Sequence, residues 1–544
     1  RGNWILLQNC HLASSWMPKM EQIIEELDPE NCHKDFRLWL TSMPTKTFPV
    51  SALQQGIKMT KEPPKGMRAN LKNAYYNLDD AKLSVTNKPD MFKKLLFGLC
   101  FFHALIQERR KFGPLGWNIC YEFNDTDLDI SISQLELYLN KYADPPYEVL
   151  NVLTSYINYG GRVTDAIDMR TIDVILKQFY CADIMKEDYS FSKSGVYYSA
   201  PINPEEPHAG YIQYIESLPV NADPEIFGMH DNANITCALQ ETYSTFDTLM
   251  QLQPRVSSGG GLTREEVIGD AAERIEARLP LEFDIEAVSM RYPTRYDESM
   301  NTVLVQECIR YQNLLKVVRD SLPELRKALK GLVVLSADLE AMADCIYNQK
   351  IPVAWDAKAY PSLKPLDSWV QELLDRLQFI NDWIEYGTPA VYWVSGFFFP
   401  QAFLTGQLQN YARANKLPID TISFVQEYIE DEYSTIKQKP DIGCLIHGLF
   451  IEGARWSKEL GCLTDSEPKV LYTSMPVIFF KPIRNRKEVT EGVYRCPMYK
   501  ILSRAGTLST TGHSTNFIMW FNVPSKGTNV INNRGLSDHV EWIK

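Results

Sequence analysis

Trp4-Ile5-Leu6-Leu7-Gln8-Asn9 decides how the first part of this protein is read: four apolar residues run without a break and stop at two amides. A short apolar run between Gly2 and a helix start at Ser14 or Ser15 fits a central, buried strand of a doubly wound parallel sheet, in which ligands sit at the carboxyl ends of the strands. Gln8 and Asn9 would occupy that end. In a nucleotide hydrolase of this architecture the two positions are Asp and Glu, one holding magnesium and the other polarising the attacking water. An amide takes no proton as a general base and is a poor ligand for a hard dication, so the site reads as retained in shape and emptied of chemistry. Periodicity equally allows an ordinary buried strand with polar ends, and both readings stand at this point.

The chain has 544 residues, 45% of them hydrophobic, enough for roughly three to four domains by the usual length prior. Its formal charge of -12 and pI near 5.4 argue against a nucleic-acid binder, which normally shows a basic face, and against acidic substrates. The 11 cysteines include no Cys-x-x-Cys pair, and no His cluster stands at metal-ligand spacing, so reduced core thiols and no metal are expected. The start at Arg1, without methionine and directly before a strand, is what a fragment of a longer protein would show. The most apolar run, Val391 to Leu404, is 14 residues long and holds Ser395, Gly396, Pro400 and Gln401. It is too short to span a bilayer and reads as core, as does the stripe Phe397-Phe398-Phe399.

Outward from the first strand, the pattern gives a helix over Ser15 to Leu27, a second strand at Phe36 to Leu40 ending in Thr41-Ser42, a short helix from Phe48 to Gln55, and a third strand from Gly56 to Thr60. Lys61-Glu62-Pro63-Pro64 cannot continue a sheet, and the α/β unit is expected to end near residue 82. No Gly-x-x-x-x-Gly-Lys-Ser/Thr phosphate loop occurs in the 544 residues. From Pro89 the spacing turns helical, with His103 on the apolar face as a satisfied core histidine. Asp127 is expected to cap a helix from Leu128 to Tyr142, and Asn158 to Asp165 to form a glycine-permitted turn that delivers Arg162 before a helix capped by Thr164. Arg162 could reach a nucleotide phosphate or a neighbouring subdomain, or simply pair with Asp165 or Asp168.

Beyond residue 225, Ser257-Ser258-Gly259-Gly260-Gly261 reads as a loop between helices from Ala233 to Leu252 and from Arg264 to Leu279. A long helix from Glu298 to Gly331, kinked near Pro323, is followed by helices around Leu366 to Tyr386 and Gln401 to Asn415. Past Pro418 the period becomes two, predicting strands at Ile419 to Ile429, Gly443 to Ile451, Val477 to Phe480, Gly492 to Tyr499 and Asn516 to Val523 in an antiparallel sheet or barrel. The last residues, His539 to Lys544, leave an edge that would be open. His447, His513 and His539 are isolated, and Ser509, Thr510, Thr511 and Ser514 beside His513 have the composition of a turn rather than of a hydrolase site.

Several of these stretches, in order, resemble the dynein heavy chain: Trp4 to Leu12, Phe36 to Ser42, Pro63-Pro64-Lys65-Gly66, Phe112 to Asn118, Asn158 to Asp165, Phe283 to Ala287, Glu298 to Leu304, Gly396 to Phe399, Gly453 to Trp456 and Gly506 to Asn516. Phe283 to Thr302 and Gly506 to Asn516 look more like ciliary (axonemal) types, particularly inner-arm ones, than like cytoplasmic motors. The resemblance implies a partial α/β AAA+ (P-loop NTPase-like) large subdomain of the sixth module over 1–82, its α-helical lid over 83–224, and an α+β carboxyl-terminal domain with a helical part at 225–417 and a β-rich part at 418–544.

It further implies a segment of an ATP-driven, minus-end-directed microtubule motor of the cytoskeleton in the cilium or flagellum axoneme, with ATP and Mg used by the parent motor and no cofactor or catalytic residue in this segment. Partners would be neighbouring AAA+ modules and the linker of the same heavy chain, and, through the parent protein and its coiled-coil stalk, microtubules, intermediate chains and light chains. Neither nucleic acid nor a membrane is expected. By the same resemblance Gln8 and Asn9 stand where an active module has its acidic pair, Thr41 or Ser42 at the first sensor, and Arg162 at the lid sensor. Lys46 is the only cation between Thr41 and Ile57, where a finger arginine often lies, and a lysine lacks the planar fork. The alternative is a non-motor interaction scaffold with a degenerate AAA+ fold.

Overall fold

Strand β1 (Trp4–Leu7) pairs in parallel with β2 (Arg37–Leu40), Trp4 opposite Arg37 and Leu7 opposite Leu40. This is a computed structural model, which describes the protein apart from residues 1, 28–31, 44, 46–47, 61–63, 77, 204, 253–262, 335, 486–488, 490–491, 505–514, 526–541 and 544. Between the strands lies α1 (Met17–Glu25), with Pro18 in its first turn, where a missing N–H costs nothing. A short α2 (Val50–Gln55) follows. Among the described residues, Cys10, Met17 and Met20 form the buried cluster of this unit, with Leu7, Ile24, Leu40 and Phe48 packed against it. Two sequence expectations fail here. β1 is not buried, since Trp4 is 69%, Ile5 45% and Leu6 53% exposed. Gly56 to Thr60 makes no strand: its two alternating apolar residues, Ile57 and Met59, are exposed and pair with nothing that would hold them extended.

The first compact unit closes at Pro64 rather than near residue 82. The reason is α3 (Met67–Tyr76), whose Met67, Leu71 and Tyr75 are buried in the core of the second unit. After α4 (Asp80–Leu83) comes α5 (Pro89–Glu108), buried almost all round. It packs against α3, α6 (Asp125–Lys141), α8 (Ala166–Leu176) and α9 (Pro207–Ser217), with α7 (Tyr147–Val152) against α8. Phe97, Phe101, Phe179 and Phe191 interlock in stacked and tilted pairs at centroid separations of 4.8 to 6.5 Å, within the range at which aromatic rings attract.

A second core holds the rest. α10 (Asn232–Leu252), whose Ala233 still packs in the first core, α11 (Arg264–Arg278) and α12 (Ile285–Arg291) lead to the 31-residue α13 (Ser299–Leu329). α13 runs unbroken through Pro323. An interior proline costs about 3 kcal/mol, whereas burial of each large aliphatic residue contributes about 1.5–3 kcal/mol, and Leu314, Leu315, Val318, Leu322 and Leu325 flank the proline on the packed face. α14 (Ala337–Tyr347), α15 (Val353–Asp356), α16 (Leu366–Tyr386), β3 (Val391–Trp393) and α17 (Pro400–Ala414) complete the helical part.

The β-rich part consists of β4 (Ile422–Ile429), β5 (Cys444–His447), β6 (Phe450–Glu452), β7 (Ala454–Ser457), β8 (Cys462–Asp465), β9 (Tyr472–Ser474), β10 (Val477–Arg484), β11 (Val493–Tyr499), β12 (Phe517–Pro524) and β13 (Trp542–Ile543). They form a four-stranded sheet in the order β3-β5-β10-β4, a five-stranded sheet in the order β12-β11-β13-β6-β9, and the ribbon β7-β8. Both larger sheets are mixed: β3 runs parallel to β5, and β13 parallel to β11. β13 lies between β11 and β6, so Trp542 and Ile543 have strand neighbours on both sides, while the rest of the edge expected at His539 to Lys544 lies outside the described residues. Helical and β-rich parts share one core, in which Leu304, Trp369 and Phe403 meet Ile478, Phe480 and Val523. Phe397 belongs to it at 2% exposure, while Phe399 is 40% exposed, so the phenylalanine stripe is core only in part. The loop Ser257 to Gly261 lies outside the described residues. No described helix is long and apolar enough to cross a membrane.

Candidate functional site

The parallel register that sets Leu7 beside Leu40 also sets Gln8-Asn9 beside Thr41-Ser42, so four of the five residues singled out in the sequence meet at one strand end. The backbone turns there. Asn9 has φ 55 and ψ 44, a left-handed conformation that Asn adopts more readily than most residues. Its N–H donates to Thr41 Oγ1 at 3.0 Å, while the N–H groups of Thr41 and Cys10 donate to the carbonyls of Leu7 and Thr41, both at 2.9 Å. Thr41, at the sensor-like position, thus pins the strand end through its hydroxyl oxygen. Ser42 Oγ donates to the Met43 carbonyl at 2.8 Å. His11, which sequence reasoning passed over, accepts the Met43 N–H at Nδ1 at 3.1 Å and closes the rim. Its signal was its place three residues after Gln8 on the same turn.

Gln8, Asn9, Thr41 and Ser42 are all exposed to solvent. Amides and hydroxyls can donate and accept hydrogen bonds there, but they supply neither an anionic ligand for a dication nor a carboxylate base. Among the described residues no three or more His, Cys, Asp or Glu side chains are grouped to hold a metal ion. Lys46, and the cluster Ser509, Thr510, Thr511, His513 and Ser514 together with His539, fall outside the described residues. His447 is described: it stacks on Tyr433 at 4.0 Å and 3°, and burial lowers its pKa to about 4.

Arg162 belongs to the second unit, in the turn Gly160–Arg162. The turn needs its first glycine, because a Cβ at Gly160 would lie 2.3 Å from the Ser155 carbonyl oxygen. Neither expected carboxylate, Asp165 nor Asp168, pairs with Arg162. Its Nε and Nη2 donate to the two carboxylate oxygens of Asp127 at 2.9 and 3.2 Å, a bidentate clasp on the first turn of α6. Asp127 in turn accepts the Asn124 N–H at 3.0 Å; Asn124, not Asp127, is the cap, and the two form a capping box. Asp165, not Thr164, caps α8, its Oδ1 accepting the N–H groups of Ile167 and Asp168 at 2.8 and 3.2 Å. With that carboxylate occupied, the nearby acid left for Arg162 is the one on α6. His103 is the core histidine expected, 1% exposed and held by Tyr159 and Gln107, each at 2.9 Å.

A parallel strand pair with polar ends, a helical unit carrying an arginine turn before a helix, and an α+β domain with one core define the class: the later part of an AAA+ module with its lid, followed by a further domain. The family profiles agree. The profile for the C-terminal domain of the dynein heavy chain matches residues 239–544, that for the dynein AAA lid domain 92–233, and that for the dynein region D6 P-loop domain 1–60. The protein belongs to the dynein heavy chain family. It is 54% identical over 525 residues to dynein axonemal heavy chain 1 of Homo sapiens, a match spanning 96% of this sequence and 12% of that relative. It is 49% identical over 528 residues to dynein axonemal heavy chain 3 of Homo sapiens, 96% of this sequence and 13% of the relative. To dynein axonemal heavy chain 12 of Mus musculus it is 48% identical over 524 residues, 95% of this sequence and 17% of the relative. It therefore spans between an eighth and a sixth of these relatives. Its place is the cytoskeleton of the cilium or flagellum axoneme.

Proposed function

We propose that this segment is a structural and regulatory part of the AAA+ ring in an axonemal motor that moves on microtubules, toward their minus ends, at the expense of ATP, and that it has no hydrolysis site of its own. The observation that carries the reading is the pair Gln8 and Asn9: two amides at the strand end where hydrolysis requires a magnesium ligand and a base. The sequence supports it further, having no phosphate loop in 544 residues. Thr41 and Ser42 would be a sensor position turned to backbone support, and Arg162 a lid arginine committed to Asp127. ATP and Mg would be bound by modules of the parent motor outside this segment. Its immediate partners would be those modules and the linker; microtubules, intermediate chains and light chains would be reached through the parent motor. The inner-arm type is the subtype favoured.

Phosphate release from the pure 544-residue protein with magnesium and ATP should stay at background. Turnover of about 1 per second or more that Asn9→Ala abolishes would overturn the reading. A regulatory domain acts through contacts that differ between ring states. A parent motor ended before Asp231 should therefore keep ATP chemistry while its run length or force changes; an unchanged motor would remove the regulatory role.

A further inference from the structure

We propose that Arg504, on the β-rich part of the carboxyl-terminal domain, is a positioning residue for the lid turn that bears Arg162, acting through Asn118 on the start of α8. Arg504 is 2% exposed, and its guanidinium donates to Asn118 Oδ1 while lying 5.7 Å from the centre of the Tyr499 ring. Asn118, 6% exposed, passes the contact on: its Nδ2 donates to Asp165 Oδ1 at 3.0 Å and its N–H to Asp168 Oδ1 at 3.0 Å. The Ile119 N–H donates to Asp168 Oδ2 at 3.3 Å, and the Asp165 N–H to the Tyr121 hydroxyl at 3.3 Å. Asp165 caps α8 and follows Arg162 by three residues, with buried Val163 between. A residue of one domain thereby fixes the end of the turn whose other end makes the clasp to Asp127.

The electrostatics require the arrangement to hold together. A guanidinium removed from water needs a compensating negative charge, and the Asp168 carboxylate supplies it. Conversely, burial and the charge of Asp165 push the Asp168 carboxyl up to about 7, while the Asn118 N–H, Tyr121 and Arg504 hold it down. Removing Arg504 leaves the buried Asp168 carboxyl beside the half-buried, negatively charged Asp165 without that compensation. The joint then loosens locally rather than letting the domains part, because Asn232 forms a second pin. Its Nδ2 donates to the carbonyls of Glu467 and Val470, both at 2.9 Å, and its Oδ1 accepts the Lys469 N–H at 2.8 Å. The inference concerns the position of the turn and stands whether or not Arg162 meets a nucleotide.

The test is amide hydrogen exchange on the full 544-residue protein, with the Asp168 carboxyl titrated by carbon NMR. Arg504→Met should speed exchange at residues 163–168 by about tenfold while α13 and α16 stay protected, and should move the Asp168 midpoint to higher pH. Arg504→Lys returns a charge without the planar fork, so it should restore the midpoint but not the protection. Asn118→Ala keeps both backbone donors to Asp168 and breaks the relay; it should loosen the same residues, and it decides the matter if Arg504→Met does not fold. Unchanged exchange at residues 163–168 in a folded variant, or exchange rising evenly over the whole protein, would overturn the proposal.

Discussion

The two compact units use apolar residues in opposite ways. Residues 65–544 bury whole tryptophans and phenylalanines, with Trp355, Trp369, Phe97 and Phe101 all below 2% exposure, whereas residues 1–64 leave Trp4 at 69% and Ile57 at 94% and bury a cluster of three. Trp4 and Trp39 lie 5.8 Å apart across the strand pair, both exposed. An uninterrupted apolar strand therefore does not by itself show that its own unit buries it. What fixes the geometry of the first unit is backbone pairing, the Leu7, Asn9, Cys10 and Thr41 contacts above all, and that is why its polar strand end is well defined without a deep core.

The comparison is sharpest in the cost of truncation. Trp369→Ala removes a ring stacked between Trp355 at 5.9 Å and Tyr360 at 6.1 Å, and should lower stability to urea by about 3–5 kcal/mol. A smaller loss would mean the second core is less tightly packed than its burial indicates. Next comes the Asp168 joint. Its carboxyl sits at about 7 in the fold against an ordinary 3.8, so the folded state holds the proton more tightly. The stability this confers is complete below about pH 4, declines as pH rises through about 7, and is flat above. The advantage of the wild type over Asp168→Asn should accordingly shrink by on the order of 2–4 kcal/mol across that window, read from denaturation midpoints at each pH. A difference independent of pH would show that Asp168 does not titrate there. The smallest effect belongs to the first unit: Ile5→Ser, at a position 45% exposed, should stay within about 0.5 kcal/mol. A cost approaching that of Trp369→Ala would erase the contrast between the units.

Legibility followed the range of each interaction. α5, α13, α16 and the long strands β4, β10, β11 and β12 were readable because each carries its own period over several residues, and the four-residue β1 and β2 because each is a short apolar-rich run that stops at polar residues. The three- and four-residue strands β3 and β6 to β9 carry too few residues to show one, and β3 lies in a run that read only as core. Ile57 and Met59 showed a strand period in a segment that finds no strand partner. Asn9 and Thr41 were recognisable as strand-end residues, yet their mutual hydrogen bond spans 32 positions, and the clasp of Arg162 on Asp127 spans 35. Asn118 and Arg504 are 386 positions apart, and nothing local to either marks the other. Capping was misassigned by small shifts, from Asn124 to Asp127 and from Asp165 to Thr164, because several good capping residues stand together and only geometry chooses among them.

On the proposed function the amide pair at the end of β1 does no ATP chemistry. The most direct measurement is microtubule-stimulated ATPase of the complete parent motor bearing Gln8→Ala with Asn9→Gly, the glycine preserving the left-handed turn. Turnover should stay within about twofold of the unmodified motor, since neither amide group is needed for the reaction. A loss of about a hundredfold or more, the scale of removing a catalytic acid or base, in a motor that remains folded, would contradict that function.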